Sequence, residues 1–317
     1  MKRWLFGLYI PFSAWSLATD NLTETKMPWF TGPLLAPNAH TVPPHHVNIE
    51  PYLFFLKSSK NYDERGHLVS HPAFYSLVQR TPMSFGLTSW MDLQITPQFL
   101  WQHTQGIKDA QPGDLPISLG FQLYQDTNER SWPGIKLSLR CTVPWGKYED
   151  LNPIKLGTDG VGTGAWMPGM TCSLSRLLFL SPTHVLAPRL AIHYSMHEPI
   201  SVQGSSVYGG SLDTQGTISG GNLFWVDLGI EYTLLYCKLY QIAIACDFFY
   251  QSIQKTSFTG KAMLPPGKPH QEQWSLAPAI EYNWNDHLGI IAGSWFTIKG
   301  RNSQSFAGFI AACNIFY

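Results

Sequence analysis

From Val47 to the end of the chain, apolar and polar residues alternate with a period of two. Val47, Ile49, Leu53 and Phe55 share one face and Asn48, Glu50 and Tyr52 the other. The pattern recurs with Met91, Leu93, Ile95 and Phe99 against Asp92, Gln94, Thr96 and Gln98. It recurs in Ile117 to Tyr124 and in Ile135 to Val143, where Lys136, Ser138, Arg140 and Thr142 oppose an apolar set. Met170 to Phe179 alternates weakly and Val185 to Met196 clearly, with Leu186, Leu190, Ile192 and Tyr194 facing away from Arg189 and His193. Phe224, Val226, Leu228, Ile230 and Tyr232 oppose Asp227, Gly229 and Glu231. Tyr240 to Tyr250, Trp274 to Trp284, His287 to Ile298 and Ser303 to Tyr317 complete the series. Period two over five to eleven residues predicts strands with unlike faces.

The series predicts about twelve strands. Segments 57–71, 104–114, 144–165, 197–220 and 251–271 are long and polar, whereas 88–90, 180–183, 234–237 and 284–286 are short. Long and short connections therefore mostly alternate, as in an up-and-down antiparallel transmembrane β-barrel with long outer loops and short periplasmic turns. A soluble β-sandwich would also alternate, but with Lys and Glu on its outer face and edges. Here the polar face is poor in Lys. Trp90, Trp101, Tyr124, Tyr194, Tyr232, Tyr250, Trp274, Tyr282 and Trp284 cluster at strand ends, as aromatic girdles do. The final stretch Phe309–Tyr317, alternating and aromatic-terminated, reads as a closing strand recognised by the barrel assembly machinery.

Composition supports the same class. Charged residues make up 13% of the chain, well below the roughly 25% usual in soluble domains. The formal net charge of zero gives no footprint for nucleic acid. Mean hydropathy is close to zero, because lipid-facing and lumenal residues cancel. Lys2 and Arg3 precede an apolar run to Leu17, and Ser16-Leu17-Ala18 supplies small residues before Thr19. Residues 1–18 are therefore expected to be a cleavable signal peptide, too short to span a bilayer, with a buried N-terminal helix as the alternative. Residues 19–46 form a Pro-rich leader, expected on the periplasmic side or tucked into the barrel mouth; the barrel occupies 47–317. Five cysteines lack metal-ligand spacing, and Cys141 and Cys313 read as small lipid-facing residues.

Three stretches carry a family resemblance: Asn48-Ile49-Glu50-Pro51-Tyr52-Leu53-Phe54, Phe85-Gly86-Leu87-Thr88-Ser89-Trp90-Met91-Asp92, and Glu281 to Gly293. They resemble the outer-membrane barrels of the meta-pathway of phenol degradation family, distant relatives of hydrophobic-compound channels. The resemblance implies bacterial outer-membrane localisation and passive passage of small apolar or aromatic solutes. It implies lipid and solute partners, and it brings no catalytic residue and no cofactor.

Strand parity turns Glu50, Asp92, Lys136, Arg140, Arg189, His193, Asp227, Glu231, Asp247 and Glu281 toward the lumen. They form either a constriction that sorts solutes or a structural network that fills the bore. The outer loop 197–220 is long enough to fold inward and join them. A surface barrel with a plugged lumen, structural or adhesive, is the rival reading. His193-Tyr194-Ser195 resembles the His-x-Ser pair of the outer-membrane phospholipase, but parity turns the pair inward rather than to lipid, so the expectation is a non-enzyme. His40, His45 and His46 lack a neighbouring carboxylate or Cys, and no metal site is expected. The Gly residues at 157, 160, 162 and 164 open no helix and lack the end of a phosphate loop; they read as an outer loop.

Overall fold

The structure is a computed structural model, and it describes residues 30–126, 132–181, 183–236 and 240–317. The signal-peptide reading of 1–18, leader residues 19–29 and Cys237 lie outside the described residues.

The sheet closes on itself as a twelve-strand antiparallel barrel. The first stave is β1 (Val47–Ile49) continued by β2 (Tyr52–Tyr62), the second β3 (Leu68–Arg80) with β4 (Met83–Thr88). The third is β5 (Met91–Ile95) with β6 (Gln98–Thr104), the fourth β7 (Ile107–Pro112) with β8 (Leu115–Tyr124), and the fifth β9 (Gly134–Val143). The sixth is β10 (Met167–Ser175) with β11 (Leu178–Phe179), and the seventh is β12 (Val185–Ser195). Two outer-loop strands follow, β13 (Ile200–Gln203) and β14 (Gln215–Gly220). The eighth and ninth staves are β15 (Leu223–Tyr236) and β16 (Gln241–Ile253); β17 (Thr256–Lys261) belongs to the outer loops. The last three staves are β18 (Gln271–Asn283), β19 (Leu288–Arg301) and β20 (Gln304–Phe316). Closure comes from β20 pairing with β2 and β1 through Phe54↔Ile310 and Asn48↔Phe316.

Four consecutive staves break at one level, at Pro51, Pro82, Pro97 and Gly113-Asp114. Proline has no N–H for the ladder, so regular pairing stops there. Neighbouring amides still bridge the gap, with Glu50 N to Pro82 O at 2.9 Å, Thr81 N to Pro97 O at 3.0 Å and Thr96 N to Pro116 O at 2.9 Å. The wall is kinked there and remains closed.

Two expected loops are strand instead. Segment 57–71 holds the end of β2, a turn at 63–67 and the start of β3; segment 104–114 is the β6–β7 hairpin. Lys57, Lys60, Asn61, Lys108 and Gln111 give these stretches no apolar face, so period two is invisible although the ladder continues. Gln105 (φ 48°) and Gly106 (φ 83°) form the two-residue turn, both in the left-handed region that a type I′ hairpin needs.

The outward face carries Leu53, Phe55, Leu139, Ile192, Leu228, Ile244, Ile280 and Phe309, all exposed as a lipid-facing band requires. Rings pair at both ends of the staves: Tyr282 with Trp284 (4.8 Å) and Tyr240 (5.7 Å) at the short turns, and Tyr250 with Trp274 (4.2 Å) at the loop end. Cys141, Cys172, Cys246 and Cys313 are free thiols.

Loop 197–220 builds a sheet of its own. It supplies β13 and β14, and β14 pairs with β17. Ile200, Val202, Tyr208 and Ile218 then form a small core with Ala165 of the 144–166 connection. That connection, which includes the glycine run, is tied down by two buried carboxylates. Asp114 accepts from Gly146 N (2.9 Å) and Thr163 N (2.7 Å), and Asp159 accepts from Lys147 Nζ (3.1 Å) and Asn152 N (3.0 Å). Together these loops cap the outer end.

Candidate channel interior

Inward-facing residues build two layers in the bore. The layer near the short turns is polar and holds the leader. Asp92, Arg189, Glu231, Asp247 and Glu281 are buried there, while His193 and Asp227 are buried at the level of Trp225 and Phe249. Asp92 pairs with Lys136 at 2.6 Å, and Arg189 Nη2 with Glu231 at 3.0 Å. Glu50 accepts from Asn48 (2.8 Å) and Asn314 (3.1 Å). Arg140 forms no ion pair with these groups among the described residues.

Leader residues 30–46 lie inside the barrel, so of the two expected placements the structure has the mouth. Their backbone amides are bound by wall carboxylates and amides in sequence order. Thr31 N donates to Glu281 Oε1, Leu35 N (3.2 Å) and Ala36 N (3.1 Å) to Asp247, Thr41 N to Gln122 (2.8 Å) and Val42 N to Asp92 (3.1 Å). An extended proline-rich chain has no ladder partner, so these bonds satisfy donors that burial would otherwise strand. Each goes to a carboxyl or amide oxygen of the wall.

The wall is shaped for this chain. Ala187, Ala191, Ala243, Ala245, Ala277 and Ala279 face inward and are buried. Glycine stands where the leader comes closest. A Cβ on Gly86 would sit 1.8 Å from Pro43 O, and one on Gly229 would sit 2.6 Å from Pro33 Cγ. Leu34 completes the fit by packing with Phe54, Ile291 and Ile310.

Beyond the leader, toward the outer loops, the inward face turns aromatic. His193 stacks on Trp225 (5.0 Å), Trp225 meets Phe249 (5.7 Å), Phe249 meets Trp295 (6.3 Å), and Trp295 meets Phe54 (6.2 Å) and Phe306 (4.7 Å). The row spans the wall from β12 to β2. Trp295 donates its indole N–H to Ser275 at 2.9 Å, which satisfies its one polar group within the wall. Sequence reasoning passed over these rings, although Trp225 and Phe249 lie two residues from Asp227 and Asp247 and so share their face.

His193 and Ser195 both point inward and are buried. The His193 ring bonds Thr171 Oγ1 at 2.8 Å and stacks on Trp225, which commits it to the wall. Among the described residues no group of three His, Cys, Asp or Glu could hold a metal. His40 bonds Ser175, whereas His46 stacks on Phe316 at 5.3 Å, which separates two of the three leader histidines.

In the outer cap, His197 Nε2 lies 2.6 Å from Tyr208 OH, and that hydroxyl donates to Thr163 O at 2.7 Å. The hydroxyl therefore accepts from Nε2–H, and the buried Nδ1 has no partner among the described residues. Burial holds the His197 pKa below its ordinary 6.5. The folded cap thus takes up a proton less readily than the unfolded one. This contribution to cap stability is complete above pH 6.5 and is lost as pH falls through the depressed value. Proteolysis of loop 197–220 is expected to be faster at pH 5 than at pH 7.5, and His197→Gln, which keeps a donor to Tyr208, removes that His-linked difference. An unchanged pH dependence in the variant would show that His197 is not its source.

No family model and no curated protein matches the sequence. Solved structures do match. An outer membrane channel from Pseudomonas putida F1 aligns at a TM-score of 0.65 with 12% identity, covering 88% of this chain and 98% of that one. The beta domain of the Bordetella autotransporter BrkA aligns at 0.46 with 9% identity (86% and 99% covered), and the NanC porin at 0.43 with 8% (85% and 98%). The chain has the fold of a bacterial outer-membrane β-barrel.

Proposed function

We propose that the protein is an outer-membrane channel for passive passage of small apolar or aromatic solutes, with the leader closing its short-turn end. The observation that carries this reading is the row of inward rings from His193 to Phe306. Rings packed on one another stabilise the wall in any barrel; a solute that leaves water to lie against them gains in addition about 25 cal/mol for each Å² of apolar surface it covers. The fold match to a protein described as an outer membrane channel supports the same reading. The charged residues near the short turns act here as the frame that holds the leader, and they set selectivity once it moves. Lipids of the outer membrane contact the apolar band, and the assembly machinery recognises Phe309–Tyr317.

The test is uptake by liposomes carrying the refolded chain. Phenol-sized aromatic solutes should enter faster than sugars of equal size, and Trp295→Ala should reduce that preference several-fold while the barrel remains heat-modifiable. The rival reading, a plugged barrel that works through its outer cap, draws on the ordered loops and the seated leader. It predicts no uptake of either solute class.

A further inference from the structure

Asp227 is a buried carboxyl group, 0% exposed, and among the described residues neither of its oxygens has a hydrogen-bond partner. The neighbouring groups of opposite or shared chemistry are engaged. Arg189 is the one Lys or Arg on β12, β15, β16 and β18, and Glu231 holds it at 3.0 Å. Asp247, on the next strand, repels Asp227 and accepts the amides of Leu35 and Ala36. An unpaired buried carboxylate costs several kcal/mol, and a cation placed against it would offset that cost.

The surroundings specify which cation. Phe249 is the cross-strand partner of Asp227, and Trp225 lies two residues along the same face. Their centroids are 5.7 Å apart. Ring faces are electronegative and attract a cation, most strongly when it is stripped of water. A hard metal ion needs six or more oxygen ligands, which rings cannot supply. From this geometry we infer that Asp227, with Trp225 and Phe249, forms an interior site for an organic ammonium ion carrying an aromatic or alkyl body. Asp247 joins the site when the leader releases it, so the solute and the leader amides compete for one carboxylate. The inference deepens the channel reading by naming a charge on the solute.

Binding is measured without current, by Trp fluorescence and calorimetry on the refolded full chain at constant ionic strength. The probes are benzylammonium and its neutral isostere benzyl alcohol, with KCl as competitor. Benzylammonium should bind roughly tenfold or more tightly than benzyl alcohol. Asp227→Asn, which keeps the shape and removes the charge, should abolish that difference; Asp227→Ser serves as a second variant, with heat-modifiability checking the fold of each. Equal binding of both probes, a preference that survives loss of Asp227, or displacement by an equal concentration of K⁺ would each overturn the site. Tight binding in a barrel that passes no solute would instead sink the channel reading and leave the site standing.

Discussion

Gly86→Val is expected to convert a closed short-turn end into an open one, seen as a rise in single-channel conductance and as protease access to residues 30–46. The added side chain begins 1.8 Å from the Pro43 carbonyl oxygen and 2.7 Å from that of Val42, positions no Cβ occupies in a real structure. One of the two backbones must give way. The wall is held on both sides, with β4 paired to β1 and to β5, whereas the leader is held by single bonds to side chains. The leader is therefore the part that moves. Overpacking of this kind costs about 1–3 kcal/mol. That free energy shifts the seated-to-released ratio by roughly 5- to 150-fold. Gly229→Val strikes the leader some ten residues away, at Pro33 and Ala36, and the two effects should add because the sites share no partner. A folded, heat-modifiable double variant with unchanged conductance and a protease-resistant leader would show that the leader does not close the bore.

Most of the barrel was legible because lipid imposes a rule on every second residue. The run Phe224 to Tyr232 could only be read one way, and Asp227 and Glu231 lie inside as parity demanded. Parity also carried the ion pair Arg189–Glu231 to the same wall, though it could not pair them. Where strands leave the membrane the rule lapses. Lys57 to Asn61 and Ile107 to Gln111 pair as strands with polar groups on both faces, and their sequence looks like loop.

The leader was illegible for a different reason. Its contacts are backbone amides to wall carboxylates, which impose no pattern on residues 30–46. The trace lay in the wall, where Gly86, Gly229 and a series of alanines face inward, a choice that makes sense only once something lies against them. Pro33, Pro37, Pro43 and Pro44 cannot join a sheet ladder. They also limit the unfolded leader's freedom, which lowers the entropy lost when it seats. The aromatic row was hidden by apolar neighbours on its own face, since Ile291 and Trp295 both point inward in β19 and blur the alternation there.

The charge balance of the inner wall leads to the largest expected change in stability. Glu231, Asp247, Glu281 and Asp227 face inward on three neighbouring strands with a single guanidinium, Arg189, to offset them. Its side chain is 7% exposed and that of Glu231 is 0% exposed, so solvent cannot replace either partner. Arg189→Met keeps the volume and removes the charge, leaving Glu231 beside Glu281 with no cation in reach. Breaking a buried pair from one side costs about 3–5 kcal/mol, against the small net worth of the intact pair. The variant should unfold at clearly lower urea concentration in lipid bilayers, with the transition otherwise cooperative. Glu231→Gln in the same background removes the stranded charge and should restore most of the loss. A single Arg189→Met variant as stable as the parent would mean that the carboxylates already share protons among themselves, and that Arg189 serves the leader at Gly32, where an added Cβ would lie 2.9 Å from its guanidinium, more than the wall.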